Sequence, residues 1–195
     1  MDPITLIVIV SISLIAAATV VFIVYNAKTK PPTEKILLEL AGEMGLTYYS
    51  GSEGKPPFAT GTYSNHGVTI DTLNEKGYFD RWHPHSRIVV SVDKGVKDTY
   101  IVANRGRFYS RKLGEVKVKH PKFDDKYVFL ASNPNKGEKI VADNVAGWIL
   151  GLDMPFILQD GHAVYHEDRR FEDKKRIMHI VDALIYIATM AEKVR

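Results

Sequence analysis

A long apolar run opens the chain. Residues Ile4–Tyr25 form 22 consecutive positions without a charged side chain. As a helix this run would extend about 33 Å, because each residue adds about 1.5 Å, and the hydrocarbon core of a bilayer is about 30 Å thick. The run therefore predicts a transmembrane anchor in residues 1–25, a short linker in residues 26–32 and a folded domain in residues 33–195.

A cleaved signal peptide is the alternative explanation of this run. Such a peptide has a basic segment before a shorter apolar stretch and small residues at its end. Here Asp2 precedes the run and an alanine triplet, residues 16–18, stands in its middle. Lysines concentrate on the cytoplasmic side of membranes, and three of them follow the run between residues 28 and 35. The sequence thus predicts a single-pass protein of the cell membrane, with its N-terminus outside and its soluble domain in the cytoplasm.

Hydrophobic periodicity divides the rest of the chain into helices at its two ends and strands between them. A helix is predicted from Thr33 to a stop at Gly45, and an amphipathic helix from Glu172 onward. Turn signals at residues 65–67 and 159–162 separate β-rich runs and indicate hairpins. A further helix is predicted to begin at Asn133 and to bury Ile140, Val141, Val145, Trp148 and Ile149.

This order of elements predicts the fold class α+β. The predicted chain begins with an N-terminal transmembrane helix and continues as an antiparallel β-sheet domain packed with helices. It ends in a long amphipathic helix. Hairpin-linked strands argue against a doubly wound parallel sheet.

Several short segments carry a resemblance to known proteins. These segments are Leu40-Ala41, Met44-Gly45-Leu46, Gly61-Thr62-Tyr63, Gly67-Val68-Thr69-Ile70-Asp71, Phe123-Asp124-Asp125-Lys126-Tyr127-Val128 and Val181-Asp182-Ala183-Leu184. Together they resemble a broad group of uncharacterised prokaryotic single-pass membrane proteins with a small α+β domain. The resemblance implies a shared fold and assigns no functional residue.

Basic residues are concentrated in one part of the chain. Residues 81–120 hold ten basic and three acidic side chains. Cations interleaved with aromatic rings suit anionic lipid headgroups or a nucleic acid, although a solvated face explains the same pattern. The short linker favours the membrane over nucleic acid. The predicted anionic-surface-binding residues are Arg105, Arg107, Arg111, Lys112, Lys117 and Lys119.

One group of residues has the spacing of metal ligands. Alternate residues of an extended segment share a side, so His83 and His85 could converge on one ion together with Asp80. Other sources of a third ligand are His66 and His120, and a polar loop without metal is the simpler explanation. His162 and His166 flank the last hairpin strand, with Glu167 and Asp168 beside them, and solvent exposure is the simpler explanation there too.

No motif indicates a reaction. The chain lacks cysteine, which excludes disulfides and a thiol nucleophile, and it has neither GxxxxGK[ST] nor GxGxxG. Asp124 and Asp125 would point to opposite sides of a strand, so they would not converge for acid–base work. No catalytic residue and no cofactor is therefore predicted.

The leading hypothesis is a membrane-tethered, non-catalytic binding or assembly module that holds a protein partner or a membrane complex at the cytoplasmic face. Its predicted partners are the lipid bilayer and either another protein or a second copy of the chain. The alternatives are a membrane-bound metal-assisted hydrolase that uses His83 and His85, and a domain that binds anionic lipid.

Overall fold

The computed structural model describes residues 32–52, 55–76, 82–93, 95–106, 113–141 and 144–194. Within these ranges, no helix combines the length and the apolar character that crossing a bilayer requires. The predicted fold class, which begins with a transmembrane helix, is therefore wrong as stated, and the single-pass character is not part of the described fold. The run Ile4–Tyr25 itself lies outside the described residues. The predicted domain boundaries, orientation and localisation stay predictions.

The described residues form an α+β fold with five helices and nine strands. The helices are α1 (Pro32–Met44), α2 (Pro121–Lys126), α3 (Pro134–Ile140), α4 (Asn144–Leu152) and α5 (Lys174–Lys193). The strands are β1 (Thr47–Tyr49), β2 (Phe58–Tyr63), β3 (His66–Lys76), β4 (Trp82–Ser91), β5 (Tyr100–Asn104), β6 (Gly114–Val116), β7 (Tyr127–Ala131), β8 (Phe156–Gln159) and β9 (His162–Glu167).

All nine strands belong to one antiparallel sheet in the order β1-β2-β3-β4-β9-β8-β5-β7-β6. The first four strands are neighbours in sequence and in space. The last strand, β9, then inserts beside β4 and carries β8 with it as a hairpin, and β8 pairs with β5. The ladder between β4 and β9 thus joins the two halves of the sheet.

Two tight turns set the register of the hairpins. The central residues have positive φ in both: Ser64 (48°) and Asn65 (65°) between β2 and β3, and Asp160 (51°) and Gly161 (77°) between β8 and β9. Positive φ at both central residues is typical of type I′ turns, whose twist matches that of the flanking strands. The first turn lies one residue earlier than predicted, because Ser64 supplies its first left-handed position and His66 already belongs to β3.

The main core lies between the helices and one face of the sheet. Strand residues alternate between the two faces, and every second one joins this core, such as Ile88 and Val90 of β4. All five helices contribute to it, among them α5, whose buried stripe confirms the amphipathic pattern in the sequence. The buried residues of α5 are Ile177, Ile180, Val181, Ala183, Leu184, Ile187, Ala188 and Ala191. We call this helix-covered face the inner face and the opposite one the outer face.

Two sequence-based expectations need correction. Asp124 and Asp125 lie in the helix α2 (Pro121–Lys126) and not on a strand, because the ring of His120 accepts a hydrogen bond from the Phe123 N–H and caps the helix. The single helix predicted from Asn133 is two helices, since Val141 leaves the helical conformation after α3. Trp148 of α4 is 42% exposed and so does not lie on the buried face.

Two helical glycines provide a matched test of how closely α3 approaches the sheet. A Cβ added at Gly137 would lie 3.0 Å from both Ala131 Cβ and Val116 Cγ2, whereas one added at Gly147 would meet nothing within 4 Å. We expect Gly147→Ala to raise the free energy of unfolding by about 0.5–1 kcal/mol, because alanine favours the helix. Gly137→Ala should lower it by about 1 kcal/mol, because overcrowding outweighs that gain. Urea unfolding measures both, and equal stabilisation would contradict the close approach.

Candidate functional site

The candidate site lies at the end of the sheet where β4 begins and β9 ends. The register pairs Ser86 with Glu167 and Arg87 with His166. Because side chains alternate along a strand, Ser86 and Glu167 point to the inner face, and their neighbours point to the outer face. Ser86 is fully buried, and its hydroxyl accepts a hydrogen bond from the Phe171 N–H at 3.0 Å. The two faces therefore carry different polar groups at the same place.

On the inner face, Glu167 is the centre of a group of hydrogen bonds. Its carboxylate accepts from Arg176 Nη1 at 2.7 Å, from the Tyr165 hydroxyl at 3.0 Å and from Arg169 Nε. Arg176, in the first turn of α5, also donates to the Tyr165 hydroxyl and to the Leu152 carbonyl. These contacts tie the end of β9 to the start of α5 and to the end of α4.

The protonation states of this group follow from burial and charge. Desolvation favours the neutral acid at Glu167, but the hydrogen bonds from Arg169 and Arg176 outweigh it and hold the pKa below its usual value. Burial raises the pKa of Tyr165 to about 12, with the Glu167 charge adding to the effect. At neutral pH the carboxylate is therefore ionised and the phenol is a neutral donor.

A second ion pair borders the first. Lys126 Nζ lies 2.8 Å from Asp153 Oδ1, which also accepts a hydrogen bond from the Tyr127 hydroxyl. The hydrogen bonds from Lys126 and Tyr127 hold the pKa of Asp153 below its usual value. Burial and the hydrogen bond to Asp153 raise the pKa of Tyr127. This pair fastens the end of α2 to the loop after α4.

The two ion-paired groups line a polar cavity with a volume of about 360 Å³. Its wall carries both signs of charge, so the cavity has no strong net preference for anions or cations. The lining residues are Asn104, Asp153, Pro155, Tyr165, His166, Glu167, Asp168, Arg169 and Arg176.

On the outer face, His85, His166 and Asp168 come together. The two imidazole rings stack with centroids 5.0 Å apart and planes 17° apart. Asp168 Oδ1 lies 3.4 Å from His85 Nδ1 and 3.9 Å from His166 Nδ1. Among the described residues this is the group of three whose side chains offer converging metal-ligand atoms, all within 4.8 Å of one another. We call it the His/His/Asp cluster.

An apolar groove of about 250 Å³ lies next to the polar cavity and shares His166, Asn104 and Pro155 with it. Ile101, Ile157 and Val164 supply its apolar wall. Ile157 is 44% exposed. Beside the groove lies a small second apolar cluster of Ile101, Val128 and Leu130, which includes no helix residue within the described ranges. The outer face is thus apolar across β8, β5 and β7. Ile101, Val128 and Leu130 are themselves buried, so its exposed apolar part centres on Ile157.

The predicted anionic-surface residues fall into two groups. Arg107, Arg111 and Lys112 lie outside the described residues. Arg105 donates to the carbonyls of Asp124 and Tyr127 and to Glu115 at 3.3 Å. Lys117 also pairs with Glu115, at 2.8 Å, and Lys119 is exposed in the loop before α2. Their role in binding an anionic surface stays a prediction.

The predicted metal ligands are also divided. Asp80 lies outside the described residues, and for His83 the structure describes the backbone in β4 alone. His66 does not join His85, because its two ring nitrogens contact the Ser91 carbonyl and the Thr189 hydroxyl. His120 caps α2, and His162 lies at the far end of β9 from His166. The predicted set of Asp80, His83 and His85 therefore stays a prediction.

The sequence did not indicate that His85 lies beside His166 and Asp168. It also did not indicate the hydrogen-bonded group of Glu167 with Tyr165, Arg169 and Arg176. Each of these residues has an ordinary local context, and only the pairing of β4 with β9 brings them together. The one signal in the sequence is that His166, Glu167 and Asp168 follow one another at the end of a predicted strand.

Comparison with known proteins shows a distant likeness in fold. No family model and no curated protein matches the chain. The crystal structure of the mycobacterial trehalose monomycolate transport factor A, TtfA, is similar, with a TM-score of 0.59 and 6% sequence identity. The match covers 83% of this chain and 95% of that chain. At this identity the likeness shows the fold alone.

Glu167 and Glu115 provide a matched test of the inner-face group. The side chain of Glu167 is 10% exposed and that of Glu115 is 39% exposed, and each accepts hydrogen bonds from two cations. We expect Glu167→Gln to lower the free energy of unfolding at pH 7 by about 2 kcal/mol, because it removes buried charge-assisted hydrogen bonds. Glu115→Gln should cost less than about 1 kcal/mol, because solvent screens an exposed pair.

The cost of Glu167→Gln should also depend on pH. The folded-state pKa of Glu167 is lowered, so its contribution is present above the unfolded-state pKa of about 4.3 and is lost as the pH falls through the folded-state pKa. Urea unfolding from pH 7 to pH 3 should show the variant converging on the wild type. A cost that is constant over this range would contradict the assignment.

Proposed function

We propose that this domain is a non-catalytic binding or assembly module and that its partner is a protein whose apolar segment lies in the outer-face groove along β8 and the adjacent residues of β5 and β9. The apolar groove carries this proposal. A side chain as large as Ile157 is nearly half exposed at its wall. Burial of apolar area contributes about 25 cal/mol per Å², and contiguous exposed apolar surface commonly marks an interaction site.

The composition of the groove fits a protein segment. Its lining is mostly apolar and includes two polar residues, Asn104 and His166. An apolar centre with a polar rim is the usual arrangement of a protein interface. The flat strand backbone beneath it is held on both sides by hydrogen-bonded neighbours, so a partner would meet a rigid surface.

The chemistry of the inner-face group supports binding over catalysis. A general base must be able to take up a proton near neutral pH. The lowered pKa of Glu167 and the raised pKa of Tyr165 move both groups away from that range. Their hydrogen bonds join secondary-structure elements, which is a structural role.

The contacts of the basic residues favour a protein partner over anionic lipid. Arg105 directs its guanidinium to two backbone carbonyls and to Glu115, and Lys117 pairs with the same carboxylate. Two of the six predicted cations are thus engaged within the domain. As part of the same proposal, the chain belongs to the prokaryotic group that its sequence resembles, and what it shares with that group is the α+β domain.

Site-specific photo-crosslinking tests the proposal. p-Benzoylphenylalanine replaces Ile157 in one variant of the full chain and Leu38, an exposed leucine of α1, in the control. We expect one discrete protein adduct from position 157 in the cells that express the protein, and none from position 38. Adducts of equal yield at both positions, or none at 157, would contradict the proposal.

A second variant measures the strength of the contact. Ile157→Asp should weaken the recovered complex by roughly tenfold, the effect of about 1.4 kcal/mol at an interface. Leu38→Asp should leave it unchanged. Equal losses would indicate a general effect on solubility and would count against the groove.

A further inference from the structure

In the His/His/Asp cluster, the carboxylate of Asp168 does not form a hydrogen bond of normal length with either imidazole. The Nδ1–Oδ1 distances of 3.4 and 3.9 Å are longer than the 2.7–3.2 Å usual for a hydrogen bond between N–H and O. Each of the three residues nevertheless offers one potential metal-ligand atom, and these atoms all lie within 4.8 Å of one another.

These separations suit ligands of one metal ion. Ligand atoms about 2.0–2.2 Å from a tetrahedral ion lie roughly 3.3–3.6 Å apart. The 3.4 Å separation falls within that range. The 3.9 Å separation and the nearly parallel imidazole rings require His166 and Asp168, which are both exposed, to rotate about their side-chain torsion angles on binding. Two imidazole nitrogens and one carboxylate oxygen form a ligand set that zinc and related divalent ions accept.

An independent observation comes from the hydrogen-bond state of His85. Its side chain is 16% exposed, and its Nδ1 atom is buried without a hydrogen-bond partner. A buried polar atom normally has a partner, because leaving it unpaired costs free energy. A metal ion coordinated by this nitrogen would supply the missing partner.

The backbone around the cluster holds its members in place. His85 lies in β4 between β3 and β9, and His166 lies in β9. Asp168 follows β9 between Glu167 and Arg169, whose side chains form an ion pair with each other. Phe171 is tied to Ser86 of β4. Ligands on paired strands lose little freedom when they bind an ion.

The cation that the register pairs with His166 is balanced by a carboxylate. Arg87 pairs with His166 across the ladder, and its Nε donates to Asp71 Oδ1 at 3.1 Å in a two-pronged contact. Asp71 is nearly buried, so this contact is well placed to offset the charge of the guanidinium next to a metal ion.

We propose that His85, His166 and Asp168 bind one divalent transition-metal ion, for which Zn²⁺ is the probe. Three protein ligands leave a further coordination position for water or for a group entering from the polar cavity, which His166 and Asp168 line. The inference is separate from the protein-binding function, since His166 alone belongs to both the cluster and the groove, whereas His85 and Asp168 do not line the groove.

Metal titration of the untagged full chain tests the inference. After treatment with chelator, the protein should take up one equivalent of Co²⁺ with the visible absorption of a tetrahedral ion, and Zn²⁺ should displace it. Isothermal titration with ZnCl₂ should give the same stoichiometry. Absence of saturable uptake of either ion would overturn the proposal.

Single substitutions locate the ion. His85→Ala, His166→Ala and Asp168→Asn should each weaken Zn²⁺ binding by at least about tenfold, which even the loss of an outer-shell partner commonly causes. His162→Ala is the control, because His162 is an exposed histidine at the other end of β9. Asp168→Asn is the decisive variant, since Asp168 is 81% exposed and its loss should not disturb folding.

The outcomes separate this inference from the proposed function. Wild-type affinity in Asp168→Asn and His166→Ala, or an equal loss in His162→Ala, would overturn the metal site. Neither result would change the crosslinking expected at Ile157. Circular dichroism and thermal unfolding of the metal-free variants show whether a lost affinity reflects a lost fold.

Discussion

The pairing of β4 with β9 is the interaction on which the rest of the structure depends. It joins four strands from the first part of the chain to five from the second, so one sheet and one main core result. The same ladder aligns Ser86 with Glu167 and Arg87 with His166. A shift by one residue would exchange the two faces of β9, which would move Glu167 and Tyr165 together to the outer face and away from Arg176. Stability and the candidate site are therefore set by one register.

Much of the fold is predictable because its signals are local. The positive-φ pair at Asp160 and Gly161 fits the Asp-Gly signal between two β-rich runs, and the buried stripe of α5 repeats at helical spacing. The short helix α2 is not predictable in this way, since its start depends on the ring of His120 as a cap. Trp148 likewise follows the helical pattern yet lies exposed beside Tyr186, an edge-on ring contact that periodicity does not describe.

The candidate site is far less predictable than the fold, because its parts are distant in sequence. His85 attracts attention as a neighbour of His83, and the sequence suggests local partners for it. Its actual neighbours come from β9, and the choice of β9 over β5 as the partner of β4 depends on the packing of the whole sheet. The role of Arg176 is not predictable for the same reason. In the sequence it is one of many cations, and only the packing of α5 places it against Glu167.

The position of β9 inside the sheet also has a consequence for synthesis. A ribosome makes β4 long before β9, so the growing chain carries the meander of β1–β4 with one side of β4 unpaired. This unpaired edge runs along the apolar residues Ile88, Val89 and Val90. An unpaired edge of an apolar strand favours association with other chains. Closing the sheet requires contacts between distant segments, which slows folding. The newly made chain is therefore prone to association with other chains until the β8–β9 hairpin inserts between β4 and β5.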